Sequence, residues 1–109
     1  MTKQPSSLPL FALRLKKARE RLGISQMELG VKAGIDEFSA SARINQYERG
    51  KHTPDFSTAC SLANVLKMPT AYFYTEDESL AELIVIYGQL KAVEKKMLYV
   101  FAESLIPSS

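Results

Sequence analysis

The chain of 109 residues, 46% of them apolar, has enough material for one domain of about five helices with an appendage, and too little for two large cores. Cys60 and His52 are the only residues of their types, which excludes an internal disulfide and a cysteine-rich metal site and implies no metal or cofactor. The net charge of +2 hides a division: residues 1–53 carry ten Lys and Arg against five Asp and Glu, residues 54–109 four against seven, so the basic half is N-terminal and suits a polyanionic partner.

In chain order, the opening MTKQPSSLP has neither a periodic pattern nor the apolar stretch of a secretory signal. It reads as a loose arm over residues 1–8 of a cytoplasmic protein, with Pro9 suited to a first helical turn. Phe11, Leu15, Ala18 and Leu22 then recur at helical spacing up to Gly23, while Arg14, Lys16, Lys17, Arg19 and Arg21 fill the positions between. That is an amphipathic helix whose basic outer side faces either solvent or phosphate. Ser25 and Glu28 have capping-box spacing, so a second helix starts at Gln26, packs through Met27, Leu29 and Ala33, and stops at Gly34. Gly30 inside it costs up to about 1 kcal/mol relative to alanine, which makes sense where another helix crosses very close.

Ile35 should return to the core, and Asp36 to Ser39 should delay a third helix until Ser39 or Ala40. In that helix Ile44 and Tyr47 face inward, Ser41, Ala42, Arg43 and Gln46 face outward, and Gly50 ends it. After the loop Lys51-His52-Thr53-Pro54, Asp55 is the N-cap of a fourth helix with the stripe Phe56, Ala59, Leu62, Ala63 and Leu66, beside which Cys60 packs as a small apolar residue. Pro69 opens a short fifth helix through Tyr74. The acidic break from Thr75 to Ser79 precedes two more helices, one with Leu80, Leu83, Ile84 and Tyr87 on one face, the other with Val93, Met97, Val100 and Phe101, flanked by Leu98 and Leu105. Leu83 to Tyr87 also has the composition of a buried strand, although helix is the preferred reading. At five residues the run is far short of the roughly 20 that span a membrane.

Several residues fall in a familiar order: Leu15 and Arg19, the run Gly23-Ile24-Ser25-Gln26 with Glu28-Leu29, the turn Ala33-Gly34-Ile35, Ile44 through Tyr47-Glu48-Arg49-Gly50-Lys51, Pro54, and Ala63 through Leu66. Through them the stretch from Phe11 to Phe73 resembles the lambda-repressor and Cro-like helix-turn-helix family, the xenobiotic-response-element type of transcriptional regulator. The resemblance implies an all-α fold: a five-helix lambda-repressor-like DNA-binding domain over residues 9–75, then a C-terminal two-helix extension over residues 79–106. It also implies that the third helix enters the major groove. Base reading is carried onto Ser41, Ala42, Arg43 and Gln46, and backbone contact onto Gln26, Asn45 and Lys51, aided by the amides after Gly50, whereas Glu48 is a structural residue. Arg43 can hold guanine O6 and N7 together, and Gln46 can pair in the same way with adenine. One departure stands out. Between Gly34 and Glu48 the chain is about four residues longer than the family's usual spacing, and the excess is assigned to a long turn from Asp36 to Ala40. Asp36 and Glu37 there either bend into solvent or discriminate between sequences, by repulsion or by accepting from a cytosine amino group.

A single such domain reads few base pairs, so a symmetric dimer on two half-sites about one helical turn apart is expected. The last two helices carry more apolar side chains than one docking face uses, and Ile84, Tyr87, Leu98 and Phe101 are the expected dimer contacts, unless these helices merely cap their own domain. The function expected is a sequence-specific regulator of transcription that binds double-stranded DNA, most simply a dimeric repressor on a palindromic operator. The alternative is an antitoxin-like module whose C-terminal helices bind a partner protein. No combination of acid, base and nucleophile and no glycine-rich phosphate loop suggests an enzyme.

Overall fold

Prolines and capping side chains set where the helices begin. In the computed structural model, which describes residues 8–108, Pro9 is extended and leads into α1 (Leu10–Leu22), and Gly23 ends that helix in the left-handed region at φ 79°. Apart from Leu8, the expected N-terminal arm lies outside the described residues. Ser25 accepts from the Glu28 amide to start α2 (Gln26–Lys32). Only this half of the capping box forms, because the Glu28 carboxylate pairs with Lys32 at 3.0 Å, one turn along.

The third helix differs from expectation. Asp36 accepts from the Ser39 amide and caps α3 (Glu37–Glu48), so the extra residues lengthen the helix by a turn and leave the connection short. The physical reason is visible at Gly30: a Cβ built there would lie 2.7 Å from Ala40 Cβ and 3.0 Å from Ala40 Cα. Ala40 is fully buried at this crossing, so the segment assigned to a turn is packed helix, and α2 and α3 pack more extensively than any other pair of elements among the described residues. Asp55 caps α4 (Phe56–Leu66) through the Thr58 amide, and the short fifth helix is a 3-10 helix, Thr70–Tyr74. Asp77 caps α5 (Glu78–Gln89), which makes Leu83 to Tyr87 helical rather than strand, and α6 (Ala92–Ser104) follows.

The core joins α1 to α4 and the 3-10 helix, with Leu15, Leu29, Ile44, Leu62 and Phe73 as its largest fully buried side chains. Two of the cations assigned to the outer side of α1 are turned inward. Arg14, 3% exposed, donates to the Thr75 carbonyl at 2.7 Å, pairs with Glu78 at 3.3 Å, and lies 5.0 Å from the centroid of the Tyr72 ring. It fastens α1 to the start of α5. Arg19 pairs with Glu48 on α3, so the basic outer side of α1 reduces to Lys16, Lys17 and Arg21.

α5 buries only Ala81 and leans on the 3-10 helix. α6 buries nothing among the described residues. The radius of gyration, 16.4 Å, exceeds the about 13 Å of a compact domain of this length, as expected when a terminal helix stands away from the core. No helix among the described residues is long and apolar enough to cross a membrane.

Candidate nucleic-acid interface

The outward side of α3 is held in place from behind. Arg19 Nε donates to Glu48 Oε2 at 2.6 Å and Nη2 to Oε1 at 3.1 Å, while Nη1 donates to the Ile24 carbonyl at 3.0 Å. Chiefly through the hydrogen bond to Glu48, the Arg19 guanidinium is held above its ordinary pKa. With Glu48 only 4% exposed, this buried fork fixes the C-terminal half of α3 against α1 and the α1–α2 turn. The structural role that the family resemblance gives Glu48 has this geometry behind it.

Gln26, the first residue of α2, joins the same network. Its Nε2 donates to Glu48 Oε1 at 3.0 Å and to Asn45 Oδ1 at 3.3 Å. Two of the three residues expected at the DNA backbone, Gln26 and Asn45, are therefore brought together, each with its amide oriented by the other. Ser41, Ala42 and Arg43 are exposed and Gln46 is half-buried. Arg43 and Gln46 share an open groove with His52, Thr53 and Asp55 of the following loop, so they lie toward the α4 side of the helix, whereas Asn45 lies toward α2. Lys51 sits at a different groove, with Lys16, Lys17 and Arg49, between α1 and the end of α3. That cluster of cations is dispersed along the sequence and is assembled only when α1 packs on α3. Arg49, which enters the family signature but none of the expected contact sets, is exposed among them.

Two further points depart from the sequence reading. The amides after Gly50 do not point outward: those of Lys51 and His52 donate to the Gln46 carbonyl at 2.9 and 3.4 Å, around the left-handed Gly50 at φ 73°. These two amides are therefore spent within the chain and are not free for an anion. The second point is Phe38, which becomes part of α3 and is 99% exposed. The available signal was Asp36 followed by Glu37, an N-cap and a first-turn acid as good as any offered by Ser39.

Two short helices joined by a tight turn, the second presenting polar side chains between cationic flanks, define a helix-turn-helix DNA-binding domain. The helix-turn-helix family model matches residues 15–73, and the chain belongs to this family, in its lambda-repressor/Cro-like branch. A comparison with curated proteins finds no match. Among solved structures, the chain is similar to the crystal structure of the transcriptional regulator BswR, at 51% identity and a TM-score of 0.79, over 86% of this chain and 93% of that one.

Proposed function

We propose that the protein is a sequence-specific transcriptional regulator that binds double-stranded DNA, a dimeric repressor acting in the cytoplasm on a palindromic operator. The observation that carries this reading is the outward side of α3, locked to α1 through Glu48 and flanked by oriented amides on one side and cations on the other. In this reading Ser41, Ala42, Arg43 and Gln46 meet base edges in the major groove, while Gln26, Asn45 and Lys51 hold the backbone. Residues 9–75 are the DNA-binding unit and residues 79–106 the dimerisation unit.

The dimer is supported by what α6 lacks. A helix of 13 residues is marginal in water without a surface to pack on, and this one leaves Met97, Val100 and Phe101 at least half exposed. A second copy offers the complementary apolar face, with exposed Tyr87 of α5 and Phe101 of α6 at its centre and half-buried Ile84, which also packs on its own core, and Leu98 beside them. The same face could instead take a different protein, as in the antitoxin-like reading. In-vitro selection from random duplex DNA tests the proposal. A palindromic consensus with half-sites about one helical turn apart supports it, and the absence of any enriched sequence overturns it.

A further inference from the structure

The extra turn of α3 gives the groove-facing helix a tip, and the tip carries an aromatic ring. Phe38 is 99% exposed, so it adds nothing to the core, yet its mount is built with care: Asp36 caps the helix two residues before it, and Ala40 two residues after it is wedged against Gly30. Its spacing from Ser41 and Ala42, three and four residues, puts it on the same side of α3 as the proposed base-reading set, one turn nearer the N-terminus. Asp36 and Glu37 stand beside it at the helix start. Two carboxylates there repel phosphate, which leaves base edges as the surface this end of the helix can approach. An apolar ring on a base edge in the major groove has one favourable partner, the C5-methyl group of thymine.

We infer that Phe38 is a specificity-determining residue that reads a thymine methyl one step beyond the bases met by Ser41 and Ala42. The inference rests on the DNA-binding reading above. Removing one methyl from such a contact costs about fourfold in affinity.

The test uses the full chain and the sequence it selects. Each thymine of that site is replaced in turn by uracil, which lacks only the methyl group, and binding is measured for the native protein, Phe38→Ala and Phe38→Leu. The expected result is one thymine per half-site whose replacement weakens the native protein about fourfold and leaves Phe38→Ala unaffected. Phe38→Leu should keep part of the sensitivity, and repeat selection with Phe38→Ala should lose the preference at that position alone. Equal uracil sensitivity at every position in the native protein and Phe38→Ala overturns the inference. So does an unchanged selected sequence for Phe38→Ala. Either result leaves the regulator reading standing, whereas a native protein that selects no sequence removes that reading itself. Because the side chain is exposed, all three proteins should melt together.

Discussion

Arg19 and Glu48 lie 29 residues apart in sequence and form the tightest ion pair among the described residues, 2.6 Å, with side chains only 14% and 3% exposed. The pair ties α3 to α1 at the point where Gln26 also joins. Removing one partner from such a buried pair typically costs about 3–5 kcal/mol, because the other charge is left stranded, whereas apolar replacement of both is far milder. Glu48→Ala should therefore lower the free energy of urea unfolding by that order, and Arg19→Leu combined with Glu48→Leu should recover much of the loss. A Glu48→Ala protein as stable as the native one would show that the fork is not what fixes α3.

Gly30 and Ala40 define how close α2 and α3 come. Adding a methyl group at Gly30 gains up to about 1 kcal/mol in helix propensity. The new Cβ would lie 2.7 Å from Ala40 Cβ, and overpacking of this kind costs about 1–3 kcal/mol. The clash should win, so Gly30→Ala is expected to be less stable in urea and to bind DNA more weakly as α3 is pushed outward. Adding Ala40→Gly should restore only part of the stability, since the Ala40 backbone also lies 3.0 Å from the added atom. A Gly30→Ala protein that melts higher would mean that the helices separate at little cost.

These two pairs also show what the sequence could and could not disclose. Apolar spacing located α1, α2 and α4, because helical periodicity is a local property, and the left-handed stops at Gly23, Gly34 and Gly50 follow from glycine's conformational freedom. Gly30 announces a close crossing, but the sequence spacing assigns its partner, Ala40, to the turn rather than to packed helix. The inward course of Arg14 was hidden for a related reason. Its partners, the Thr75 carbonyl and Glu78, are more than 60 residues away, and no local pattern separates a cation that reaches across the fold from one that faces water. The grouping of Lys16 and Lys17 with Lys51 is likewise a product of packing.

Asp55 supplies a pH-dependent anchor for α4. Its carboxylate accepts from the Thr58 amide at 2.8 Å, and that backbone hydrogen bond, first among the causes, holds its pKa below the ordinary 3.8. A lowered folded-state pKa means that the ionised cap stabilises the fold above the unfolded value, and that the contribution is lost as pH falls through the folded one. The stability difference between native protein and Asp55→Ala should therefore be constant from neutral pH down to about pH 5 and shrink below about pH 4. Unfolding curves across that range check it, and a difference that grows on acidification would contradict the assigned cap.

Arg43 and Lys51 should fail differently on DNA. Arg43→Ala is expected to relax preference at one base pair per half-site by about 1–3 kcal/mol, with little change elsewhere. Lys51→Ala is expected to weaken binding to selected and random duplexes alike, and to lower the slope of log affinity against log salt by about 1 per protomer. Titrations of both variants at several salt concentrations separate the two roles. Unchanged sequence preference in Arg43→Ala would place the base-reading register of α3 elsewhere.

The surface of α6 leads to the last expectation, a coupling between assembly and helix content. Phe101 is 61% exposed in the single chain, so a charge there costs the isolated fold little but cannot be buried unpaired in a dimer interface. Phe101→Asp should shift the protein from dimer to monomer in sedimentation equilibrium. Because α6 fully buries none of its described residues within its own chain, the monomer should also lose helical circular dichroism equivalent to roughly one short helix. DNA binding should fall most on a two-half-site duplex and least on a single half-site, since only the former needs two copies held in register. If native protein and Phe101→Asp sediment alike as monomers with equal helix content, self-association through this face is excluded, and a different protein becomes the partner to seek for α5 and α6.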